Sequence, residues 1–186
     1  MFPVALDFTV LRAAVAGAGA AAQRRVRLLD EAGAKHVRVF APDAPPPLSE
    51  VAGSRLTARL PEDADLAAID VLFIADLAPA QAERLAQRAR RLRVLVNTED
   101  VRPLCDFHVP AMVRRGDLVL AVSTGGASPG LARRLKRHLA DQFGEEWAQY
   151  LTEIADARAG WRAEGVALGE LAQRTDDLIE QKGWLS

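Results

Sequence analysis

The feature that most constrains this chain is Gly17-Ala18-Gly19-Ala20-Ala21-Ala22, a GxGxxA pattern set between two periodic segments. Residues 12–17 form a short apolar run and read as a buried strand. Residues 20–32 keep helical spacing through Val26, Leu28 and Leu29, and Gly33 closes them. Glycines between a strand and a helix permit a tight reversal and bring the backbone close to a pyrophosphate, which the helix N-terminus then stabilises. Gly17, Ala18, Gly19, Ala20 and Ala21 are therefore candidate cofactor-binding residues.

Such a turn needs a parallel sheet around it, and the following segments supply one. Val37, Val39 and Phe40 predict a second strand, ended by Pro42, with a proline-rich loop over 44–47. Residues 55–60 read as a short third strand, and 69–75 (IDVLFIA) as a strongly buried one. A helix is expected over 79–91, with Pro79 in its first turn, and another strand over 94–96. Strands alternating with helices over short connections predict an α/β fold with a Rossmann-type parallel sheet. A dinucleotide ribose is commonly held by an acid at the end of the second strand. Here that strand ends Phe40-Ala41-Pro42, so Asp43 is the candidate, two residues late. Arg38 reads as a face residue, and NAD against NADP stays open at this level.

Beyond residue 106 the texture changes. Residues 107–113 and 118–123 are β-type runs joined at Arg115-Gly116-Asp117. A basic helix is expected over 128–143, and two more helical stretches between 145 and 181. The expected organisation is a Rossmann domain over 1–106, then a small α+β region with C-terminal helices over 107–186.

Bulk properties exclude several classes. A chain of 186 residues that is 49% hydrophobic and 26% charged can bury a sizeable core. Its net charge of −1 gives no reason to expect nucleic acid or an anionic membrane as partner. No apolar run is long enough to span a bilayer, and there is no basic leader. A lone cysteine, Cys105, excludes an internal disulfide and fits a reducing cytoplasm. His36, His108 and His138 form no metal-ligand pattern, so no resident metal is expected.

Two further segments are distinctive. One is Val96-Asn97-Thr98-Glu99-Asp100, leading to Leu104-Cys105-Asp106-Phe107. The other is Ser123-Thr124-Gly125-Gly126-Ala127-Ser128-Pro129, followed by Leu131-Ala132-Arg133. With the glycine turn before them, they resemble the precorrin-2 dehydrogenase / sirohydrochlorin ferrochelatase family, the N-terminal module of siroheme synthases. That family shows GGGxVAxRK after its first strand, then VNVVD followed by CDF, then STGGxSPxLAR. The likeness spans nearly the whole chain. Departures fall at Val10, at Ala18, at Asp76-Leu77 where a Thr-Asp or Thr-Asn pair is usual, and at His108. The Asp76 position bears on the cofactor pocket.

The resemblance implies oxidation of precorrin-2 to sirohydrochlorin with NAD as hydride acceptor, in some members with Fe(II) insertion to give siroheme. It implies a homodimer, with the region after residue 106 serving dimerisation and tetrapyrrole binding. It also implies that the methyltransferase domain of fused siroheme synthases is not part of this sequence. Asp100 aligns with the family's catalytic aspartate. Such a carboxylate can take the proton that must leave when a hydride leaves, and it can deprotonate pyrrole nitrogens. Asp76 is a further cofactor-site candidate. For a polycarboxylate substrate the candidates are Ser123, Thr124, Gly125, Gly126, Ser128 and Arg133: backbone donors, a helix N-terminus and a cation. A non-catalytic NAD- or tetrapyrrole-binding regulator of the same fold is the alternative.

Overall fold

The structure, a computed structural model, describes residues 2–185. They divide into two compact units, one ending at His108 and one starting at Val109. No helix is long and apolar enough to cross a membrane among the described residues.

The first unit is the expected α/β sheet. Strand β1 (Arg12–Ala16) leads through the glycine turn into helix α1 (Ala20–Glu31), then β2 (His36–Phe40), α2 (Pro46–Ala52), β3 (Leu56–Thr57), α3 (Asp63–Leu66), β4 (Val71–Ile74), α4 (Pro79–Arg91) and β5 (Leu95–Thr98). All pairings are parallel, in the order β3-β2-β1-β4-β5. The order reverses between β1 and β4, and in such sheets a crevice opens there at the carboxyl ends of the strands. One face of the sheet packs Ala14, Ala16, Phe40, Leu72 and Ile74 against Leu66, Ala82 and Leu85 of α3 and α4. Alternation along each strand turns Val15, Val39 and Phe73 to the opposite face, where α1 lies against β1, β2 and β4.

Local chemistry explains the ends of the elements. At the end of α1, the N–H of Gly33 reaches Asp30 O and that of Ala34 reaches Leu29 O. This is a Schellman closure, which needs the left-handed φ of 71° that Gly33 supplies. Helix α4 spans the expected residues and opens on Pro79, whose missing N–H costs nothing in a first turn.

Three expectations need correction. The proline-rich 44–47 stretch is not all loop: Pro46 and Pro47 open α2, the prolines again occupying first-turn positions. The third strand is two residues long rather than six. Beyond it, Arg59 turns back to pair with Asp65, which also accepts Arg38 and the N–H of Glu62. Helix α3 had no counterpart in the periodicity. It is a single turn held by a reciprocal cap between Glu62 and Asp65.

The second unit contains an antiparallel hairpin, β6 (Ala111–Arg115) and β7 (Leu118–Val122), followed by α5 (Pro129–Gln142), α6 (Trp147–Ala163) and α7 (Leu168–Lys182). Its described buried apolar side chains are only Val113 and Leu171.

Candidate functional site

The glycine turn lies where β1 delivers the chain to the carboxyl edge of the sheet. Gly17 has φ 140°, and a Cβ there would land inside the Ala75 carbonyl at the end of β4. The turn and β4 can approach this closely only because Gly17 has no side chain. Gly19 is the N-cap of α1 and offers no side-chain cap. Ala18 and Ala20 flank it, and Ala21 and Ala22 are buried at the start of the helix.

The three acidic candidates of the first unit all follow strands at the same edge. Asp43 lies three residues after β2, exposed and without a side-chain partner among the described residues. Arg38, the neighbouring cation, is committed: it pairs with Asp65 and lies over the Phe40 ring. Asp76 follows β4 in the left-handed region, φ 56°. Its Oδ2 accepts the Ala22 N–H at 2.9 Å, and the carboxylate packs against Gly19, where a Cβ would strike it. A glycine turn at a helix N-terminus fits a dinucleotide backbone, but here the Asp76 carboxylate already takes one of the amides that would hold it.

Asp100 follows β5, also left-handed at φ 59°. It is exposed, and among the described residues no hydrogen bond or ion pair holds its carboxylate. Beside it, Glu99 is held by cations of α1. It accepts a hydrogen bond from Arg24 at 3.0 Å and lies 3.7 Å from Arg25 Nε. The signal was present in the sequence as two adjacent arginines on α1 and an acid just beyond a strand. A cleft of about 310 Å³ runs between the ends of β4 and β5 and the start of α4, lined by Asp76, Leu77, Thr98, Glu99 and Leu104 among others.

The Cys105-Asp106-Phe107 segment is structural. Strand β5 is the sheet edge, and Asp106 covers it: its carboxylate accepts the Val96 N–H at 2.9 Å and its own N–H reaches Val96 O at 2.7 Å. Arg90 holds the same carboxylate. The Cys105 thiol, half-buried, accepts the Thr98 N–H and donates to Thr98 O. Phe107 meets Phe73 edge to face, and its carbonyl accepts from Asn97 Nδ2. His108 is exposed.

In the second unit the candidate loop joins β7 to α5. Ser128 is the N-cap of α5, its Oγ accepting the Leu131 N–H at 3.2 Å. Thr124 Oγ1 donates to Ser128 O and accepts Ser128 N–H, closing the loop on itself. Gly125 and Gly126 have φ 62° and 80°, so consecutive left-handed residues form the tip. The Gly125 N–H reaches Ser123 Oγ. Arg133 is exposed on α5. Arg115, by contrast, is occupied at the other end of that helix: it donates to Phe143 O and Ala140 O and pairs with Glu145.

Comparison with known proteins agrees with the fold. A family model described as "Putative NAD(P)-binding" matches residues 4–111, and one described as "Sirohaem biosynthesis protein central" matches residues 115–142. The siroheme synthase of Nitrosococcus oceani is 33% identical over 187 residues, covering 92% of this chain and 40% of that protein. That of Nitrosospira multiformis is 38% identical over 144 residues, covering 74% of this chain and 30% of its own length. The chain thus spans 40% or less of these two relatives. Among solved structures, one titled "SirC, precorrin-2 dehydrogenase" aligns over 100% of this chain and 93% of its own, with a TM-score of 0.75 and 26% identity.

Proposed function

Because this chain belongs to the precorrin-2 dehydrogenase / sirohydrochlorin ferrochelatase family, the N-terminal module of siroheme synthases, we propose that it oxidises precorrin-2 to sirohydrochlorin with NAD. Gly17 to Ala22 would hold the pyrophosphate. Asp43, exposed beyond β2, would take the ribose hydroxyls, and commitment of Arg38 to Asp65 leaves no free cation on β2 for a 2′-phosphate, which favours NAD over NADP. When bound, the nicotinamide supplies the hydride acceptor.

The observation that carries the reading is Asp100. It is a solvent-accessible carboxylate with no partner among the described residues, at the carboxyl edge of a parallel sheet that also bears a glycine turn. A carboxylate used as a turn or cap would be spent on backbone N–H groups, as those of Asp106 and Asp65 are. Asp100 is free to take the macrocycle proton that leaves with the hydride. We extend the proposal to Fe(II) insertion, with the metal as substrate and Asp100 taking pyrrole protons. The Ser123–Ser128 loop and Arg133 would hold the substrate carboxylates. The second unit would mediate a homodimer, and the protein would work in the cytoplasm. The Asp76 carboxylate on the Ala22 amide favours one other reading, a non-catalytic NAD- or tetrapyrrole-binding regulator of the same fold.

Anaerobic incubation with precorrin-2 and NAD, then Fe(II), followed by absorbance, tests this. Sirohydrochlorin should form, and Asp100→Asn should slow it by roughly 10²–10⁴-fold. Full activity in that variant would remove Asp100 as the base. No turnover by the parent would leave the regulator.

A further inference from the structure

Resting on the reading of the glycine turn as a dinucleotide seat, we infer that the Asp76 carboxylate holds dinucleotide affinity down. Its carboxylate occupies the anion position of the turn and must swing away before a pyrophosphate reaches the α1 amides.

The geometry is direct. Ala22 is the third residue of α1, and its N–H is one of the first-turn donors that no helix can satisfy internally. Those are the donors an anion takes at a helix N-terminus. In this chain that N–H already donates to Asp76 Oδ2 at 2.9 Å. The space above Gly19 is likewise taken: a Cβ built there would overlap Cβ, Cγ and Oδ2 of Asp76. The second glycine of the pattern therefore bares a patch of backbone that the chain's own carboxylate covers.

Charge works in the same direction. Helix α1 has no acid in its first turn and no side-chain cap from Gly19. Asp76 is thus the negative group that answers the positive helix end, in the role a pyrophosphate would have. The ionisable residues lining the adjoining cleft are Asp76, Glu83 and Glu99, all acidic. The nearest cations on α1, Arg24 and Arg25, face Glu99. A pyrophosphate entering this seat meets a like charge. Asp76 makes no other side-chain hydrogen bond among the described residues and is exposed, so rotation of its side chain clears the seat without unfolding anything.

The test is calorimetric titration of NADH into the parent, Asp76→Asn and Asp76→Gly. Asn and Gly both adopt φ near 56° readily, so the turn survives. Asn keeps the shape and loses the charge, and Gly removes the side chain altogether and stands in if the Asn variant misfolds. NADH should bind at least about tenfold more tightly to Asp76→Asn than to the parent, equivalent to about 1.4 kcal/mol. Equal or weaker binding to folded variants, with measurable binding to the parent, would overturn this inference and leave the dinucleotide seat standing. Absence of binding to all three proteins at millimolar NADH would remove the seat itself and the inference with it.

Discussion

Glu99, beside the Asp100 turn, accepts a hydrogen bond from Arg24 of α1 at 3.0 Å, and its second oxygen lies near Arg25. The helix that starts at the glycine turn is thereby tied to the strand end that carries Asp100. Glu99→Gln keeps the shape and drops the charge. It should lower stability by about 1 kcal/mol, read as a shift in the urea midpoint. Arg24 is 65% exposed, and solvent screening limits the effect. An unchanged midpoint would mean that the tie contributes nothing to stability.

Gly19→Asp should leave no calorimetrically detectable NADH binding in a folded protein. The new Cβ runs into the Asp76 carboxylate and adds a second negative charge at the start of α1. Unaltered affinity, with the circular dichroism of the parent retained, would place the dinucleotide elsewhere.

Acid should weaken the first unit through Asp70. Its carboxylate accepts the Arg12 side chain at 2.7 and 3.0 Å and the Arg12 N–H at 2.9 Å, joining the starts of β1 and β4. The side-chain hydrogen bond from Arg12, chiefly, holds the Asp70 carboxyl down at about 2, from an ordinary 3.8. A carboxyl lowered on folding contributes stability that is complete above its unfolded value and lost as pH falls through its folded one. Asp70→Asn should therefore be less stable than the parent at pH 7, and the gap should close between about pH 4 and pH 2. Asp65, held low first by Arg59, acts with the same sign. A gap that stays constant down to pH 2 in urea titrations would contradict the assignment.

Leu131 and Leu135 are four residues apart on α5, share a face and are 50% and 39% exposed. With so few apolar side chains buried in the second unit, we expect this face to lie in a homodimer interface. Light scattering at micromolar concentration should give a dimer for the parent and a monomer for Leu135→Glu. A monomeric parent would refute it.

Much of the first unit was legible because its signals are local. Residues 71–75 are apolar without interruption, as a strand buried on both faces must be, and Pro79 announces a helix start by its own geometry. Helix α2 was not legible: its prolines read as loop until the chain is seen to place them in the first turn, where no N–H is needed. The shortness of β3 depends on Arg59 meeting Asp65, a pairing that strand periodicity does not carry. Asp100 and Asp106 look alike as acids after a strand. Only their surroundings separate them, one without a partner among the described residues and the other bound to the Val96 N–H and Arg90.

By itself the sequence determined the alternation of the main strands with helices α1 and α4, the place of the glycine turn and the helix start at Ser128. Each of these rests on backbone conformations that neighbouring residues allow or forbid. Only the tertiary structure decided that Asp76, fifty-four positions beyond Ala22, lays its carboxylate on that amide. The strand order β2-β1-β4 brings the end of β4 beside the start of α1, and a hydrogen bond between residues so distant along the chain exists only once parallel pairing has set their register.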